Sequence, residues 1–147
     1  MSVEGFPLSD SRENQAQFRS ELEGEEGQVL WWLGEWVWEG SGPATTPLEE
    51  AVEAVMAGDV STPLERGVQK AGEFHERLLG RERVTLYRGG GVSDRGLLSF
   101  TFDREVAESF GPVVEVAVPA ERIFFSPAMS ERLGGDESEV LVWVGGL

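Results

Sequence analysis

Cysteine is absent from this 147-residue chain, and histidine and lysine each occur only once. Without cysteine the chain has no disulfide, no thiolate nucleophile and no zinc–thiolate cluster. The single histidine, His75, excludes a multi-histidine metal site and argues against Ser-His-Asp catalysis. Any chemistry must therefore use carboxylates, hydroxyls and arginines.

Basic side chains are also scarce, with 12 against 27 acidic ones and a formal net charge of -15. This charge repels phosphate backbones and anionic lipid, so direct nucleic-acid binding and membrane binding are disfavoured. No stretch approaches the roughly 20 apolar residues that span a bilayer. The first ten residues carry no basic segment or long apolar run typical of a secretory signal. We therefore expect a cytoplasmic site of action and no membrane partner.

The length suits one compact domain, residues 1–147, with a single core. Helical periodicity and glutamate dominate before Gly80, and β-branched runs with turn residues follow it. We predict a helical part at about 10–80 and a β-rich part at about 81–147. The fold class is α+β, with N-terminal helices packed on a small, curved, mainly antiparallel sheet.

Two helix starts have the same pattern, in which a threonine N-cap precedes proline at the first helical position and glutamate at the third. They begin at Thr46 and Thr62, and Gly58 and Gly80 are the matching ends. The predicted helices, with a weaker one at the start, cover residues 10–23, 47–57 and 63–79. A one-turn or two-turn helix after Asp103 should direct inward the side chains of Val106, Ala107 and Phe110, and end at Gly111. The predicted strands cover residues 84–87, 97–102, 113–118, 123–125 and 139–144.

A tryptophan-rich segment lies between the first two of these helices. Its apolar stripe at helical period consists of Val29, Leu30, Leu33, Trp36 and Val37. The neighbouring Trp31, Trp32 and Trp38 widen the apolar surface. Core packing is the expected role, and an exposed partner-binding patch is the alternative.

Three short segments of the β-rich part contain candidate functional residues. They read Tyr87-Arg88-Gly89, then Ser99-Phe100-Thr101, then Glu137-Ser138-Glu139. This order resembles the arginine-serine-glutamate class of mono-ADP-ribosyltransferases, over residues 84–143. The resemblance implies an ADP-ribosyltransferase-like fold, NAD as substrate without a metal, and a protein target. It also implies a bacterial or viral effector, including one from a phage.

Each residue of the pattern has a chemical role to offer. Glu139 is the candidate catalytic residue, because a carboxylate stabilises the positive charge that develops on the ribose when NAD loses nicotinamide. Ser99 is suited to orient that carboxylate, and Thr101 shares its strand face. Arg88 has the fixed charge needed by the NAD pyrophosphate or by the strand beside it, and Gly89 lets a ligand approach the backbone.

Glu137 is the second candidate catalytic carboxylate. By the resemblance, a glutamate two residues before the catalytic one accompanies transfer to arginine, and the loop at 126–136 corresponds to the target-recognition loop. The alternative for Glu137 is a solvated acid. His75 is expected on the surface or at the edge of its helix, without a role.

Two other functions stay open at this stage. Water in place of the protein acceptor would make the same site an NAD glycohydrolase. The acidic charge and the Trp31–Trp38 segment would instead suit a non-enzymatic binding or inhibitor protein that contacts a basic surface.

Overall fold

A computed structural model of the chain describes residues 8, 11–39, 47–90, 96–130, 133 and 139–144, without the side chains of 37–39. Five α-helices occur in these ranges: α1 (Arg12–Glu21), α2 (Gln28–Glu39), α3 (Pro47–Met56), α4 (Pro63–Leu79) and α5 (Arg104–Glu108). The strands are β1 (Arg83–Gly89), β2 (Leu97–Thr101), β3 (Val113–Pro119), β4 (Ile123–Phe125) and β5 (Glu139–Trp143). Two 3-10 turns lie at Gly24–Gly27 and Ala120–Arg122.

The ends of α4 follow the local signals in the sequence. Thr62 Oγ1 accepts a hydrogen bond from the Glu65 backbone N–H (3.1 Å), and the Glu65 carboxylate accepts one from the Thr62 N–H (3.1 Å). Gly80 ends the helix with a φ of 60°, a left-handed conformation that glycine adopts without a steric penalty. The predicted α4 is confirmed. Helix α3 begins at Pro47 as predicted, and its proposed cap, Thr46, lies outside the described residues.

The strands form one five-stranded sheet in the order β3-β1-β2-β5-β4, with antiparallel neighbours throughout. The register between β1 and β3 is continuous from Arg83 opposite Pro119 to Gly89 opposite Val113. The register between β2 and β5 runs from Leu97 opposite Trp143 to Thr101 opposite Glu139. The architecture is α+β with a mainly antiparallel sheet, which confirms the predicted fold class.

The apolar side chains form two clusters that involve the sheet. The first cluster joins the helices to strand residues such as Leu97 and Leu141. The second cluster contains Leu79 of α4 and strand residues such as Val84 and Val140. Burial of apolar surface on this scale is the main source of stability of such a fold.

The tryptophan segment is only partly a core element. Trp36 is buried and its Nε1 donates to Glu49 Oε1 (2.9 Å), while Trp32 is half-buried. Trp31 is 60% exposed, so core packing is wrong for this residue. At 100° per residue, Trp31 lies about 200° from Val29, on the side away from the buried stripe. The Trp38 side chain lies outside the described part.

Polar side chains connect the helical part to the rest of the chain. The buried Glu26 carboxylate pairs with Lys70 Nζ (2.6 Å) and Arg66 Nε (3.3 Å), and the hydrogen bond from Lys70 lowers the pKa of Glu26. Gln15 Nε2 donates to the Pro127 carbonyl (3.0 Å). These contacts join the 3-10 turn Gly24–Gly27 to α4, and α1 to the segment after β4.

His75 is fully buried, so its expected place on the surface or at the helix edge is wrong. Its Nδ1 lies 2.7 Å from the Ala71 carbonyl, which can only accept, and its Nε2 lies 2.7 Å from Ser126 Oγ. The Nδ1–H therefore donates to Ala71, and Nε2 accepts from the Ser126 hydroxyl. These two bonds satisfy the imidazole inside the core, and burial lowers its pKa to about 4.

None of the helices in the described ranges has both the length and the apolar character needed to cross a membrane.

Candidate active site

A cleft of about 350 Å³ opens where β1, β2 and β5 meet α5. Its volume lies within the range of about 300–1,000 Å³ that is usual for small-molecule sites. The lining residues are Tyr87, Arg88, Gly89, Ser99, Phe100, Thr101, Val106, Ala107, Phe110 and Glu139. The cleft therefore combines one cation, one carboxylate, hydroxyl groups and aromatic rings.

Glu139 ends a row of three side chains that crosses the sheet. Tyr87 on β1 lies opposite Thr101 on β2, and Thr101 lies opposite Glu139 on β5. Directly opposed residues of antiparallel strands project to the same face of the sheet. Thr101 is buried and Glu139 is half-buried, and both residues line the cleft. Ser99, two residues before Thr101, projects to the same face.

Thr101 also fixes the turn that follows β2. Its Oγ1 accepts a hydrogen bond from the Asp103 backbone N–H (3.0 Å), and the Asp103 carboxylate caps α5 by accepting from the Glu105 N–H (3.0 Å). The same strand end therefore positions both the row of side chains and the first residue of α5.

Arg88 connects β1 to β2. Its Nη1 donates to the Ser99 carbonyl (2.6 Å). The backbones of β1 and β2 are paired here at one position, Tyr87 opposite Thr101. The guanidinium thus places its positive charge at the cleft while holding the strand that carries Ser99 and Thr101. The role of Arg88 toward a ligand stays a prediction.

Gly89 is a close-packing position between β1 and α5. A Cβ atom there would clash with the Ala107 carbonyl oxygen and would approach Phe110 Cβ to 3.0 Å. Ala107 is buried at this contact. The absence of a side chain at Gly89 therefore allows α5 to lie directly over the strand.

Phe110 differs from its predicted position. Helix α5 ends at Glu108, so Phe110 falls in the turn after the helix, where helical period no longer sets its direction. The ring is 60% exposed instead of inward, yet it lines the cleft. On the neighbouring side, the Arg104 guanidinium lies 5.8 Å from the centroid of the Tyr87 ring. Sequence reasoning assigned the site no aromatic group, although both rings lie within or beside its motifs.

The structure brings five of the six predicted site residues to one cleft: Arg88, Gly89, Ser99, Thr101 and Glu139. The sixth, Glu137, lies outside the described residues. So do residues 131, 132 and 134–136 of the predicted target-recognition loop, whereas its residues 126–130 and 133 are described and buried.

Residues 50–147 match the family model described as dinitrogenase reductase ADP-ribosyltransferase (DRAT). This match covers about two-thirds of the chain, including α4, α5, the whole sheet and every residue that lines the cleft. The chain belongs to the DRAT family. A search of curated proteins and a search of solved structures each gave no match.

Membership of the DRAT family identifies the class of reaction, because ADP-ribosyltransferases use NAD as the donor of ADP-ribose. The lining residues fit such a substrate. A half-buried glutamate, a half-buried arginine and an exposed phenylalanine line the cleft. These groups suit a sugar, a phosphate and a flat heterocycle, respectively.

Proposed function

We propose that this DRAT-family chain is an NAD-dependent mono-ADP-ribosyltransferase of the arginine-serine-glutamate class that modifies arginine on a protein. Glu139 is the catalytic residue, and Arg88, Ser99, Thr101 and Gly89 form the NAD site. The observation that carries the proposal is the row formed by Tyr87, Thr101 and Glu139, which places a half-buried carboxylate in the cleft that Arg88 also lines.

The reaction breaks the bond between the ribose carbon and the nicotinamide nitrogen. The bonding electron pair leaves with nicotinamide, which becomes neutral, and positive charge develops on the sugar. Glu139 stabilises that charge by contacting the ribose, and its effect is greater in the transition state than in the ground state. A strand is a rigid support for such a residue, and Glu139 is the first residue of β5.

The remaining polar groups hold the substrate. Arg88 supplies a fixed positive charge for the pyrophosphate, and it also holds the Ser99 carbonyl of the adjacent strand. Ser99 and Thr101 project to the face on which Glu139 lies, which supports the proposal that their hydroxyls orient its carboxylate.

Arginine is the proposed acceptor because Glu137 precedes Glu139 by two residues, as in the arginine-modifying members of the resembled class. A guanidinium nitrogen forms the new bond to the ribose carbon, and its proton passes to Glu137. The name of the DRAT family specifies dinitrogenase reductase as the acceptor of the proteins for which it is named. That protein is therefore the first protein acceptor to test.

The test compares wild type with Glu139→Gln in the presence of labelled NAD, with agmatine and dinitrogenase reductase as acceptors. Both nicotinamide release and transfer of label are followed. Glu139→Gln keeps the shape of the side chain and removes its charge, so we expect release to fall by about a hundredfold or more. The matched control, Glu82→Gln, changes an exposed glutamate outside the cleft and should leave the rate unchanged.

The other outcomes separate the competing functions. Full activity of Glu139→Gln would contradict the assignment of the catalytic residue. Nicotinamide release without label on either acceptor would indicate an NAD glycohydrolase. A wild-type protein that neither binds nor cleaves NAD would favour a non-enzymatic acidic binding protein.

A further inference from the structure

One of the two edge strands of the sheet is β3, which pairs with β1 on one side. In an antiparallel pair, opposed residues alternate between those that exchange two hydrogen bonds and those that exchange none. At one end of this pair, the Gly90 N–H donates to the Pro112 carbonyl (3.1 Å). At the other end, the Ala120 N–H donates to the Glu82 carbonyl (2.8 Å). The even-numbered residues of β3 therefore bond to β1.

The odd-numbered residues Val113, Glu115 and Ala117 consequently point their backbone N–H and C=O groups away from the sheet. In the part of the chain that the structure describes, no other strand is paired with this edge. Of the usual devices that block strand addition, the edge has one charged side chain, Glu115, but it has no lysine, no bulge and no central proline. Its register with β1 is continuous, it contains no basic residue, and Pro119 comes only at its end.

This edge continues into the candidate active site. Val113 and Val114 lie opposite Gly89 and Arg88, both of which line the cleft. Val114 is 38% exposed and Phe110 is 60% exposed, and both are among the large apolar side chains that remain in contact with solvent. A segment that follows β3 past Val113 would therefore arrive at the mouth of the cleft.

We propose that the β3 edge binds an extended, basic segment of the acceptor protein as an additional strand, which delivers the acceptor arginine to the cleft. The identity of the occupant as acceptor rests on the proposed function. Strand addition supplies affinity through backbone hydrogen bonds, and neighbouring side chains supply selectivity. Here the selectivity comes from charge, because Glu115 is exposed on the edge and the chain carries a net charge of -15.

A second copy of this chain is a poorer occupant of the edge. It would bring another net charge of -15 and a second Glu115 to the same place. Like charges on paired strands are destabilising, and so is the repulsion between two strongly acidic proteins. A basic segment is the complementary partner.

The first test measures backbone amide exchange in the intact chain with a peptide probe of alternating arginine and threonine. We expect exchange at Val113, Glu115 and Ala117 to slow by about tenfold or more on binding, because their amides become hydrogen-bonded. Val116, whose N–H already bonds to β1, is the internal reference. The control peptide has glutamate in place of arginine and should give no slowing.

Two results would overturn the proposal. One is unchanged exchange at the three outward amides with the basic peptide at saturating concentration. The other is slowing that depends on the concentration of the chain alone, which would identify a second copy as the occupant.

Two variants test the two sources of binding separately. Ala117→Pro removes an outward N–H, and proline is tolerated at an edge where that group faces solvent. Its matched control is Ala117→Thr, which retains the N–H. Glu115→Arg leaves the backbone intact and reverses the local charge, so it should weaken binding of the basic peptide. Unaltered peptide binding by Ala117→Pro and Glu115→Arg would contradict the proposed edge.

A kinetic test connects the edge to transfer of ADP-ribose. Agmatine offers a guanidinium without a peptide backbone, whereas the arginine–threonine peptide offers both. Ala117→Pro should lower kcat/KM for the peptide by up to about tenfold, the cost of one hydrogen bond, and leave agmatine modification unchanged. An equal loss with both acceptors would overturn the proposal. If wild type modifies neither acceptor, the proposed function fails, while the exchange experiment still decides whether the edge binds a basic strand.

Discussion

Polar side chains are used differently in the helical part and in the cleft. In the helical part they are buried against partners within the fold, as with Glu26 against Lys70 and His75 against Ser126. In the cleft, Glu139 and Arg88 are half-buried and border about 350 Å³ of open space. The difference is one of access and not of pairing, because Arg88 also donates to the Ser99 carbonyl, and a polar group beside open space can act on a ligand.

This difference explains why the only histidine is a structural residue although histidine is the most frequent acid–base catalyst. The Ser126 hydroxyl that donates to His75 also accepts from the Ala128 N–H (3.2 Å), so the imidazole is part of a connected network. The network joins α4 to the segment after β4. Substitutions in the helical part should therefore alter stability, and those in the cleft should alter the reaction with NAD.

The largest expected exception is Gly89→Ala, a cleft substitution that should also destabilise the fold. The added Cβ meets the Ala107 carbonyl, so α5 must move away from β1. We expect a loss of about 2–3 kcal/mol in the free energy of unfolding, as for other overpacked sites, together with weaker NAD binding. Denaturant unfolding and NAD titration measure the two effects.

Gly27→Ala is the control for this substitution, because a Cβ at Gly27 has no neighbour within 4 Å. Its free energy of unfolding should stay within about 1 kcal/mol of wild type. A Gly89→Ala protein as stable as wild type would show that α5 is loosely seated on the sheet, contrary to the contact with Ala107.

In the helical part, His75 should make the free energy of unfolding depend on pH. Burial lowers the pKa of His75 from 6.5 to about 4, so the unfolded chain gains a proton below pH 6.5 that the folded chain resists until about pH 4. Stability therefore falls as the pH decreases through this window. Between pH 7.5 and pH 5 the contribution is about 2 kcal/mol at 1.36 kcal/mol per pKa unit.

His75→Gln cannot titrate, so the difference in unfolding free energy between pH 7.5 and pH 5 should be smaller by that amount. Glu26 has a pKa below its usual 4.5, so its carboxylate stays charged in the folded chain at both pH 7.5 and pH 5. Unfolding curves at the two pH values measure the effect, and the KM for NAD at pH 7.5 should be unchanged. An unaltered pH dependence in His75→Gln would mean that another group controls it.

The two parts also differ in what the sequence could predict. The ends of α4 were predictable because Thr62, Glu65 and Gly80 act on neighbouring backbone groups. The burial of His75 was not, because its partner Ser126 is 51 residues away and is brought close by packing of α4 on the segment after β4. Local chemistry fixes helix ends, whereas burial of a single residue depends on contacts across the fold.

The sequence identified several residues of the cleft but not the geometry that brings them together. The order of Arg88, Ser99 and Glu139 identified groups that line one cleft. Their alignment depends on β5 pairing with β2 in a register that places Glu139 opposite Thr101. Neither that register nor the contact of Gly89 with Ala107 leaves a signal in the sequence alone.

The smallest expected effect compares two aromatic side chains with the same exposure. Phe110 and Trp31 are each 60% exposed, one at the mouth of the cleft and the other on α2. Replacing either with alanine should change stability by less than about 1 kcal/mol, since neither ring lies in the core. Phe110→Ala should raise the Kd for NAD by about fivefold, because a stacked aromatic ring contributes about 1 kcal/mol.

Trp31→Ala is the matched control and should leave the Kd for NAD at its wild-type value. Calorimetric titration with NAD measures the Kd of each variant, and thermal unfolding measures its stability. Equal weakening of NAD binding by Trp31→Ala and Phe110→Ala would mean that a position in the cleft is not what matters. That result would contradict the assignment of NAD binding to the cleft and of a stabilising role to the helical part. If only Phe110→Ala weakened binding, the mouth of the cleft would be the surface on which the flat part of NAD lies.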